Sequence, residues 1–223
     1  MATEPFPSAT VVIIRDGTTG VEVLMLQRNV DLSFHGGAWV FPGGRIDPID
    51  RNNAGSDDIV EAARHAAVRE AAEEASVTLD ASELVAFSRW VTPEALPKRF
   101  VTWFFACEFQ RSNVVVDGGE VVDHRWLSPS AALASQASGE LDLPAPTYVT
   151  LRELAPHATA RAALEALRSR PLTVYNPKML QVEDGVCTVY EEDVAYGGAD
   201  LETPGRRHRL YMSKSGYRYE HTG

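Results

Sequence analysis

Three glutamates, Glu70, Glu73 and Glu74, stand close together in an alanine-rich segment. If the segment is helical, a rotation of about 100° per residue places the three carboxylates within roughly one 100° sector. Carboxylates crowded in this way repel one another and weaken the helix unless a cation lies among them. Hard divalent ions such as Mg²⁺ prefer carboxylate oxygens, water and phosphate as ligands. The spacing therefore predicts a metal site on one face of the helix.

Two neighbouring features favour a metal site over a solvated, salt-bridged surface, which is the ordinary explanation for a run of Glu, Arg and Ala. Arg69 is placed to hydrogen-bond an adjacent carboxylate and fix its orientation. A Phe-Pro-Gly-Gly segment at residues 41–44 also precedes the helix. Paired glycines let backbone carbonyls and amides approach a metal or a phosphate closely.

The elements that must hold these groups are both strands and helices. Ser56 and Asp57 are good N-cap residues for a helix over 59–77, which lacks Gly and Pro. Residues 45–58 are predicted as a polar loop. The other predicted elements are strands at 10–16, 21–27, 83–91, 100–110 and 124–127, helices at 129–138 and 147–169, and strands after residue 172 with turns at 184–185 and 215–216. This order indicates a mixed α+β fold.

The net charge, the apolar runs and the cysteine count of the chain limit the kinds of molecule that we expect it to bind. The 223 residues carry a net charge of -10, which argues against a nucleic-acid partner because phosphate backbones need concentrated Lys and Arg. The apolar run Val11 to Ile14 is too short for a signal peptide or a membrane span. Cys107 and Cys187 give no disulfide framework and suit a reducing compartment. We therefore expect a cytoplasmic protein that binds no nucleic acid and no membrane, and a homodimer is left open.

The glutamate segment resembles the Nudix box, the signature of the Nudix hydrolase family. The box reads Gly, five residues, Glu, seven residues, Arg-Glu, an apolar residue, any residue, Glu-Glu, any residue, Gly and an apolar residue. The matching positions here are Gly44, Glu61, Arg69, Glu70, Ala71, Glu73, Glu74 and Val77. With its flanking strands the resemblance covers residues 8–135, which we take as the Nudix domain. We expect residues 136–223 to form helices and β-hairpins packed on the same domain.

The sequence departs from the box at two places. Sixteen residues separate Gly44 from Glu61 instead of five, an insertion of 11 that we place within residues 47–58. We expect this segment to bulge outwards as a loop, so that a deletion keeping the helix cap changes stability by less than ~2 kcal/mol. Ser76 replaces the last glycine of the box, whose place suits a left-handed residue, so serine should introduce slight strain.

The resemblance implies an α/β/α sandwich with a mixed β-sheet and a C-terminal α/β extension. It also implies that Glu70, Glu73 and Glu74 bind Mg²⁺ or Mn²⁺, with a backbone carbonyl at Gly44 or its neighbour as a further ligand. Glu61 and Arg69 would form a supporting pair. The metal ions would lower the pKa of a bound water and neutralise a diphosphate, while a carboxylate takes the proton of the water.

One more carboxylate is a candidate for the general base. Glu120 stands six residues before Trp126, where the family often keeps an extra metal ligand or a general base. Asp117 and Asp123 are rivals for this role, and each of the three could instead be an ordinary turn residue.

Outside the box the sequence resembles the branch that contains peroxisomal acyl-CoA diphosphatases. The resembling segments are residues 89–93, 97–105, 119–120, 126–129 and 143–147, together with the long insertion. The resemblance implies a small-molecule nucleotide substrate, CoA or an acyl-CoA, cut to 3′,5′-ADP and (acyl-)4′-phosphopantetheine. Alternatives are ADP-ribose, NADH or an oxidised nucleotide as the substrate. A catalytically silent Nudix module that binds a nucleotide is a further alternative.

Five residues are candidates for substrate binding. Lys98 and Arg99 would suit the 3′-phosphate of CoA, and Trp90 or Trp103 could stack on adenine. Arg28, directly after the second predicted strand, is assigned to the substrate as well. A solvated turn is the ordinary explanation for Lys98 and Arg99.

Overall fold

The computed structural model describes residues 4–32, 35–110 and 113–222. The strands are β1 (Phe6–Asp16), β2 (Val21–Arg28), β3 (Trp39–Val40), β4 (Gly43–Arg45), β5 (Val85–Val91), β6 (Phe100–Glu108), β7 (Val121–Leu127), β8 (Thr173–Tyr175), β9 (Lys178–Val182), β10 (Gly185–Val189), β11 (His208–Ser213) and β12 (Gly216–His221). The helices are α1 (Pro48–Ala54), α2 (Ile59–Ala75), α3 (Pro129–Ala137), α4 (Ala145–Leu154) and α5 (Ala160–Arg168), with 3₁₀ turns at Ala81–Glu83 and Val194–Gly197. The predicted α+β class with a mixed sheet is confirmed.

The β1–β2 hairpin supports the glycine pair. The first sheet runs in the order β3-β2-β1-β6-β5-β8, with β4 paired to β1 and β7 paired to β2. Ile14 lies opposite Val23, and the Gly17 N–H donates to the Gly20 carbonyl at 2.8 Å, which confirms the predicted hairpin. On the other side of β1, residues 43–45 of β4 lie opposite residues 8–10. One hairpin therefore holds both the strand of the glycines and the strand β7 that follows Glu120.

Helix α2 packs through alanines. Asp58 is its N-cap, and the carboxylate accepts a hydrogen bond from the N–H of Val60 at 2.8 Å. The buried residues are Ala62, Ala63, Ala66, Ala67, Ala71, Glu74 and Ala75. Small side chains let the helix approach its neighbours closely, and they leave one carboxylate, Glu74, on the buried face. The helix ends at Ser76, whose φ of 55° is left-handed, as the lost glycine of the box predicted.

The prediction of a loop over 45–58 is wrong, because residues 48–54 form helix α1. Its start and stop signals are present in the sequence. Pro48 occupies the first turn, the N–H of Asp47 donates to the side chain of Asp50 at 2.8 Å, and Gly55 ends the helix with a φ of 62°. The polar composition of the segment concealed these signals.

The predicted helix over 147–169 is two helices, α4 and α5. Thr159 caps α5 by accepting a hydrogen bond from the N–H of Ala162 at 3.1 Å. Asp16, at the end of β1, accepts a second hydrogen bond at this helix start, from the N–H of Ala160 at 2.7 Å. The carboxylate of Asp16 and the hydroxyl of Thr159 both accept backbone N–H groups at the start of α5. These hydrogen bonds explain why a new helix begins here instead of one continuous helix over 147–169.

The chain divides into two compact units. The larger contains the described residues within 7–89 and 102–173, and the smaller contains residues 4–6, residues 90–101 and the described residues from 174 onward. This division places α3, α4 and α5 in the larger unit. In the smaller unit an antiparallel sheet runs in the order β12-β11-β10-β9. The predicted hairpin turns at 184–185 and 215–216 are confirmed.

A buried ion pair anchors the smaller unit. The Asp193 carboxylate accepts hydrogen bonds from Arg209 Nε at 2.7 Å and Nη2 at 2.5 Å. It also accepts from the backbone N–H groups of His208 and Ala195, both at 2.8 Å. Burial opposes the charge of Asp193, but these hydrogen bonds outweigh it and lower its pKa. The pair therefore ties the 3₁₀ turn after Asp193 to strand β11.

Both cysteines lie in apolar surroundings. Burial raises the pKa of Cys107 to about 12 and that of Cys187 to about 11. The thiols therefore remain protonated at neutral pH. In the part of the chain that the structure describes, every helix is too short or too polar to cross a lipid bilayer.

Replacing Ser76 with glycine should stabilise the protein by about 0.5 kcal/mol. A left-handed backbone costs a non-glycine residue about 1 kcal/mol, and the greater freedom of glycine in the unfolded chain offsets part of the gain. The matched control is Gly55→Ala, at the left-handed end of α1, where open space surrounds the Cα and we expect a loss of about 1 kcal/mol. Urea unfolding measures both. A Ser76→Gly variant less stable than the wild type would contradict the assigned strain.

Candidate metal centre and active site

Helix α2 presents its glutamates at different depths. Glu74 is only 6% exposed, and its Oε2 accepts a hydrogen bond from the N–H of Gly43 at 2.9 Å. The side chain of Glu70, one turn earlier, is largely buried, whereas that of Glu73 is 59% exposed. Two of the three glutamates, Glu70 and Glu74, therefore lie on the side of α2 that faces the glycine pair of β4.

Glycine at position 44 leaves room for the carboxylate of Glu70. A Cβ at this position would displace that carboxylate from its place beside β4. Pairing with β1 holds the backbone of residues 43–44, and Thr10 Oγ1 donates to the carbonyl of Pro42 at 2.6 Å. Backbone carbonyls are thereby brought beside two carboxylates, and this set of hard oxygen donors suits a divalent cation.

The electrostatics of the site also favour a cation. Burial raises the pKa of Glu74 to about 8; the N–H of Gly43 opposes this shift, and the charges of Glu70 and Glu120 add to it. Burial likewise raises the pKa of Glu70, with Arg69 opposing the shift. Each carboxylate is thus held where its negative charge is unfavourable. A bound cation would reverse that balance.

Glu120 lies near the glutamates of α2, since its charge contributes to raising the pKa of both Glu70 and Glu74. The rival Asp117 has a structural role, since its carboxylate accepts the backbone N–H groups of residues 119, 120 and 121 at 2.9–3.2 Å. The other rival, Asp123, accepts the N–H of His124 at 2.8 Å. Asp117 therefore builds the turn that presents Glu120.

Arg28 contributes a positive charge to the site. It ends β2, where the pairing with β7 shifts register so that Arg28 lies opposite Val121. Its charge lowers the pKa of Glu74. The prediction that Arg28 binds substrate is therefore consistent with a guanidinium near the glutamates, where it could meet a phosphate.

Arg69 joins three segments of the chain. Its Nη1 donates to Glu70 Oε1 and Glu73 Oε2, both at 2.8 Å. Its Nε and Nη2 donate to the two carboxylate oxygens of Asp50 at 3.1 and 2.9 Å, and Nη2 also donates to the carbonyl of Arg45 at 2.9 Å. The hydrogen bonds to Asp50 contribute most to raising the pKa of Arg69.

Asp50, rather than Glu61, is the partner of Arg69, so the predicted pair of Glu61 and Arg69 is wrong. Seven residues stand between the two along one helix, which places them about 12 Å apart along its axis. Glu61 instead contacts Arg64, with Nε and Oε1 3.4 Å apart. Five residues stand between Gly44 and Asp50, the spacing that the box gives to its first acidic residue. The extra residues therefore follow this acid, and the Gly-to-acid spacing was the signal that could have revealed it.

This pairing also overturns the expectation that residues 47–58 can be deleted at little cost. Asp50 is 1% exposed and accepts hydrogen bonds from Nε and Nη2 of Arg69. Deleting the segment would therefore remove the contact that ties α1 to α2 and would free one side of the guanidinium. Only the segment between Gly55 and Asp58 fits the predicted description of an exposed loop.

Three of the other substrate candidates lie in the smaller unit. Trp90 is buried, and its ring stacks on Tyr175 with centroids 3.8 Å apart. Arg99 is buried as well, and its Nε donates to the carbonyl of Thr92 at 3.1 Å. Lys98 is exposed, with Nζ 5.5 Å from the ring centroid of Phe100. These contacts favour packing roles for Trp90 and Arg99, and a substrate role for Lys98 stays a prediction.

Comparisons with known proteins agree with this acidic site. The NUDIX domain family profile matches residues 5–146. A Mycobacterium tuberculosis protein provisionally named 8-oxo-dGTP diphosphatase 3 is 32% identical over 194 residues, which are 81% of this chain and 74% of that protein. The human acyl-coenzyme A diphosphatase NUDT19 is 40% identical over 76 residues, 33% of this chain and 20% of that protein.

A nematode relative and a solved structure extend the comparison. A Caenorhabditis elegans protein provisionally named nudix hydrolase 7 is 25% identical over 188 residues, 68% of this chain. The match spans 61% of that protein. The crystal structure of a NUDIX hydrolase from Alicyclobacillus acidocaldarius superposes with a TM-score of 0.68 at 27% identity, covering 77% of this chain and all of the other.

Replacing Asp50 with asparagine should lower hydrolytic activity about 10- to 100-fold, the range typical of residues that orient metal ligands. Asparagine keeps the shape but removes the charge that holds Arg69 between Glu70 and Glu73. The matched control is Glu61→Gln, which should change activity by less than about 3-fold. Steady-state kinetics at saturating metal measure both. Equal losses in the two variants, or a larger loss in Glu61→Gln, would contradict the assignment of Asp50.

Proposed function

This chain belongs to the Nudix family of hydrolases, and on that premise we propose that it hydrolyses the phosphoanhydride bond of a nucleoside-diphosphate-linked substrate. The observation that carries the proposal is the position of Glu70 and Glu74 beside the glycine pair of β4. Burial raises the pKa of both carboxylates, which is costly unless the site uses them. A phosphoanhydride reaction uses them through a divalent cation.

The residues that would hold the cation are Glu70, Glu73, Glu74 and a backbone carbonyl of the Gly43-Gly44 pair. Mg²⁺ and Mn²⁺ are the ions proposed, because every donor in this set is an oxygen. When bound, such an ion supplies charge neutralisation for the diphosphate and acidifies a coordinated water.

The side chains of the protein supply position and proton transfer. The N–H of Gly43 fixes Glu74, and Arg69 fixes Glu70 and Glu73 through one guanidinium. Glu120 is the proposed general base, since the turn built by Asp117 holds its backbone while its carboxylate stays near the glutamates of α2. Arg28 is proposed to meet a substrate phosphate. Together these groups suit an attack by water on phosphorus.

CoA or an acyl-CoA is the proposed substrate. The support is the identity of 40% with the human acyl-coenzyme A diphosphatase over 76 residues, together with the exposed cation Lys98, which suits a 3′-phosphate. An oxidised nucleotide is the second candidate, because the mycobacterial relative named for 8-oxo-dGTP matches 81% of this chain. A comparison of kcat/KM for the two substrates distinguishes these candidates.

Glu74→Gln should reduce turnover by about 10³-fold, equivalent to ~4 kcal/mol of transition-state stabilisation. Glutamine keeps the side-chain volume and can still accept the N–H of Gly43. The metal-free variant should melt no lower than the wild type, because it loses a carboxylate whose charge burial disfavours. Turnover is measured by chromatographic separation of the two phosphate-monoester products, with Mg²⁺ or Mn²⁺ present and with EDTA as the blank. The matched control is Glu165→Gln on the exposed surface of α5, which should behave as the wild type.

Wild-type turnover in the Glu74→Gln variant would overturn the metal assignment. No turnover of any substrate by the wild-type enzyme, despite measurable nucleotide binding, would instead support a silent module and refute the proposed hydrolysis.

The substrate proposal predicts that kcat/KM for CoA or an acyl-CoA exceeds that for 8-oxo-dGTP, ADP-ribose and NADH by at least about 10-fold, a difference of ~1.4 kcal/mol. Lys98→Ala should raise KM for CoA about 10-fold, since a charged hydrogen bond is lost. It should leave KM unchanged for dephospho-CoA, which lacks the 3′-phosphate. A preference for 8-oxo-dGTP would favour the second candidate. Equal effects on CoA and dephospho-CoA would remove Lys98 from the 3′-phosphate site.

A further inference from the structure

The smaller unit carries a second group of metal-ligand side chains that the glutamate site does not use. His208 and His221 lie directly opposite each other in the β11–β12 hairpin, so their side chains share one face of the sheet. Glu192 precedes the buried Asp193, and its Oε2 lies 3.6 Å from His208 Nδ1 and 3.6 Å from His221 Nε2. The three ligand atoms all lie within 4.8 Å of one another.

His208 points a buried nitrogen into this group. The residue is 5% exposed, and among the described residues its Nδ1 has no hydrogen-bond partner. Its Nε2 lies 2.9 Å from the hydroxyl of Tyr219. Burial, together with His221, lowers the pKa of His208 to about 4, so the ring is neutral at physiological pH. With the Nε2 proton on the side of Tyr219, the lone pair of Nδ1 faces Glu192 and His221.

An unpaired buried nitrogen in a polar cluster requires an explanation, since buried polar atoms ordinarily have partners. Glu192 does not supply a hydrogen bond, because 3.6 Å is too long. Arg206 also approaches Glu192 Oε2, at 3.2 Å, and would compete for that oxygen. Because Arg206 and Glu192 are both about half exposed, solvent screening makes this pair weak. A cation with imidazole affinity could displace Arg206.

We propose that Glu192, His208 and His221 bind a divalent transition-metal ion of the zinc class. Zn²⁺ binds imidazole nitrogen and carboxylate oxygen at about 2.0–2.2 Å, so tetrahedral ligand atoms stand roughly 3.3–3.5 Å apart. Two separations here are 3.6 Å. The rings of His208 and His221 are stacked, with centroids 4.1 Å apart and an angle of 14° between their planes, so the ring of His221 has to rotate for both nitrogens to face one ion. His221 is exposed and near the end of its strand, where such a rotation meets little resistance. Two histidines and one carboxylate leave a fourth position for water or another ligand.

Neighbouring residues hold the proposed zinc ligands in position. Asp193 accepts the backbone N–H of His208 at 2.8 Å and pairs with the buried Arg209, so the backbone next to Glu192 is fixed beside β11. The hydroxyl of Tyr219 lies 2.9 Å from the second nitrogen of His208, where metal-bound imidazoles usually donate a hydrogen bond that fixes the ring. Mg²⁺ avoids imidazole ligands, so this group and the all-oxygen glutamate set select different ions.

Zinc binding to the purified, EDTA-treated protein tests the proposal. Zn²⁺ is titrated in excess Mg²⁺, which occupies the carboxylate site, and binding is followed by calorimetry and by the melting temperature. We expect one tight equivalent of Zn²⁺ and, at saturation, a rise in melting temperature of about 5 °C or more. His221→Gln and Glu192→Gln should each lower the affinity about 100-fold or more, since even outer partners contribute 10- to 100-fold.

The matched controls separate this site from other histidines and from the glutamates of α2. His157→Gln, in the larger unit, should bind Zn²⁺ as the wild type does, and so should Glu74→Gln. Both His221 and Glu192 are exposed, so their replacement should leave the fold intact, which the metal-free melting temperature checks. No tight Zn²⁺ equivalent in excess Mg²⁺, or affinity unchanged in both His221→Gln and Glu192→Gln, would overturn the proposal.

Discussion

The guanidinium of Arg69 is the interaction on which the acidic site depends. Its five N–H groups are directed to five acceptors, from Asp50 in α1, Glu70 and Glu73 in α2 and the backbone of Arg45 after the glycine pair. A planar, permanently charged fork can satisfy this set, and lysine could not. Three segments that are separate in sequence are therefore held at one point. Glu70 and Glu73 keep their direction because both accept hydrogen bonds from the same nitrogen of Arg69.

The charge balance around that point explains why the site suits cations. Among the described residues, six carboxylates lie near it and two guanidiniums, those of Arg69 and Arg28, oppose them, which leaves a formal charge of -4. The six are Asp47, Asp50, Glu70, Glu73, Glu74 and Glu120. Burial makes the excess charge costly, as the raised pKa of Glu74 indicates. Binding of a divalent cation would therefore release protons, and its affinity should increase with pH.

The sequence predicts the candidate metal ligands better than it predicts the residues that hold those ligands in position. The carboxylates of α2, the glycine pair and Glu120 follow from residue type and spacing, because a helix and a tight strand fix their positions locally. The first hairpin and the C-terminal hairpins were predictable for the same reason. Asp50 was missed because its role depends on a contact with Arg69 across 19 positions of sequence. The choice between Asp50 and Glu61 required knowing that residues 48–54 turn back towards α2 as a helix.

The sequence also did not reveal which polar and aromatic side chains pack in the interior of the protein. Trp90 and Arg99 have the chemistry of a nucleotide site, but whether an aromatic ring or a guanidinium is buried depends on partners distant in sequence, such as Tyr175. The histidines of the β11–β12 hairpin illustrate the same limit. Each is unremarkable by itself, and only the strand register brings His208 opposite His221.

The two buried cysteines have a practical consequence for studying this molecule. With their pKa values raised to about 12 and 11, the native thiols should react slowly with maleimide or iodoacetamide at neutral pH, because the thiolate is the reactive form. A cysteine introduced at an exposed position, such as residue 98 or 165, would then be the preferred attachment point for a fluorophore or spin label. Site-specific labels could thus be added without first removing Cys107 or Cys187.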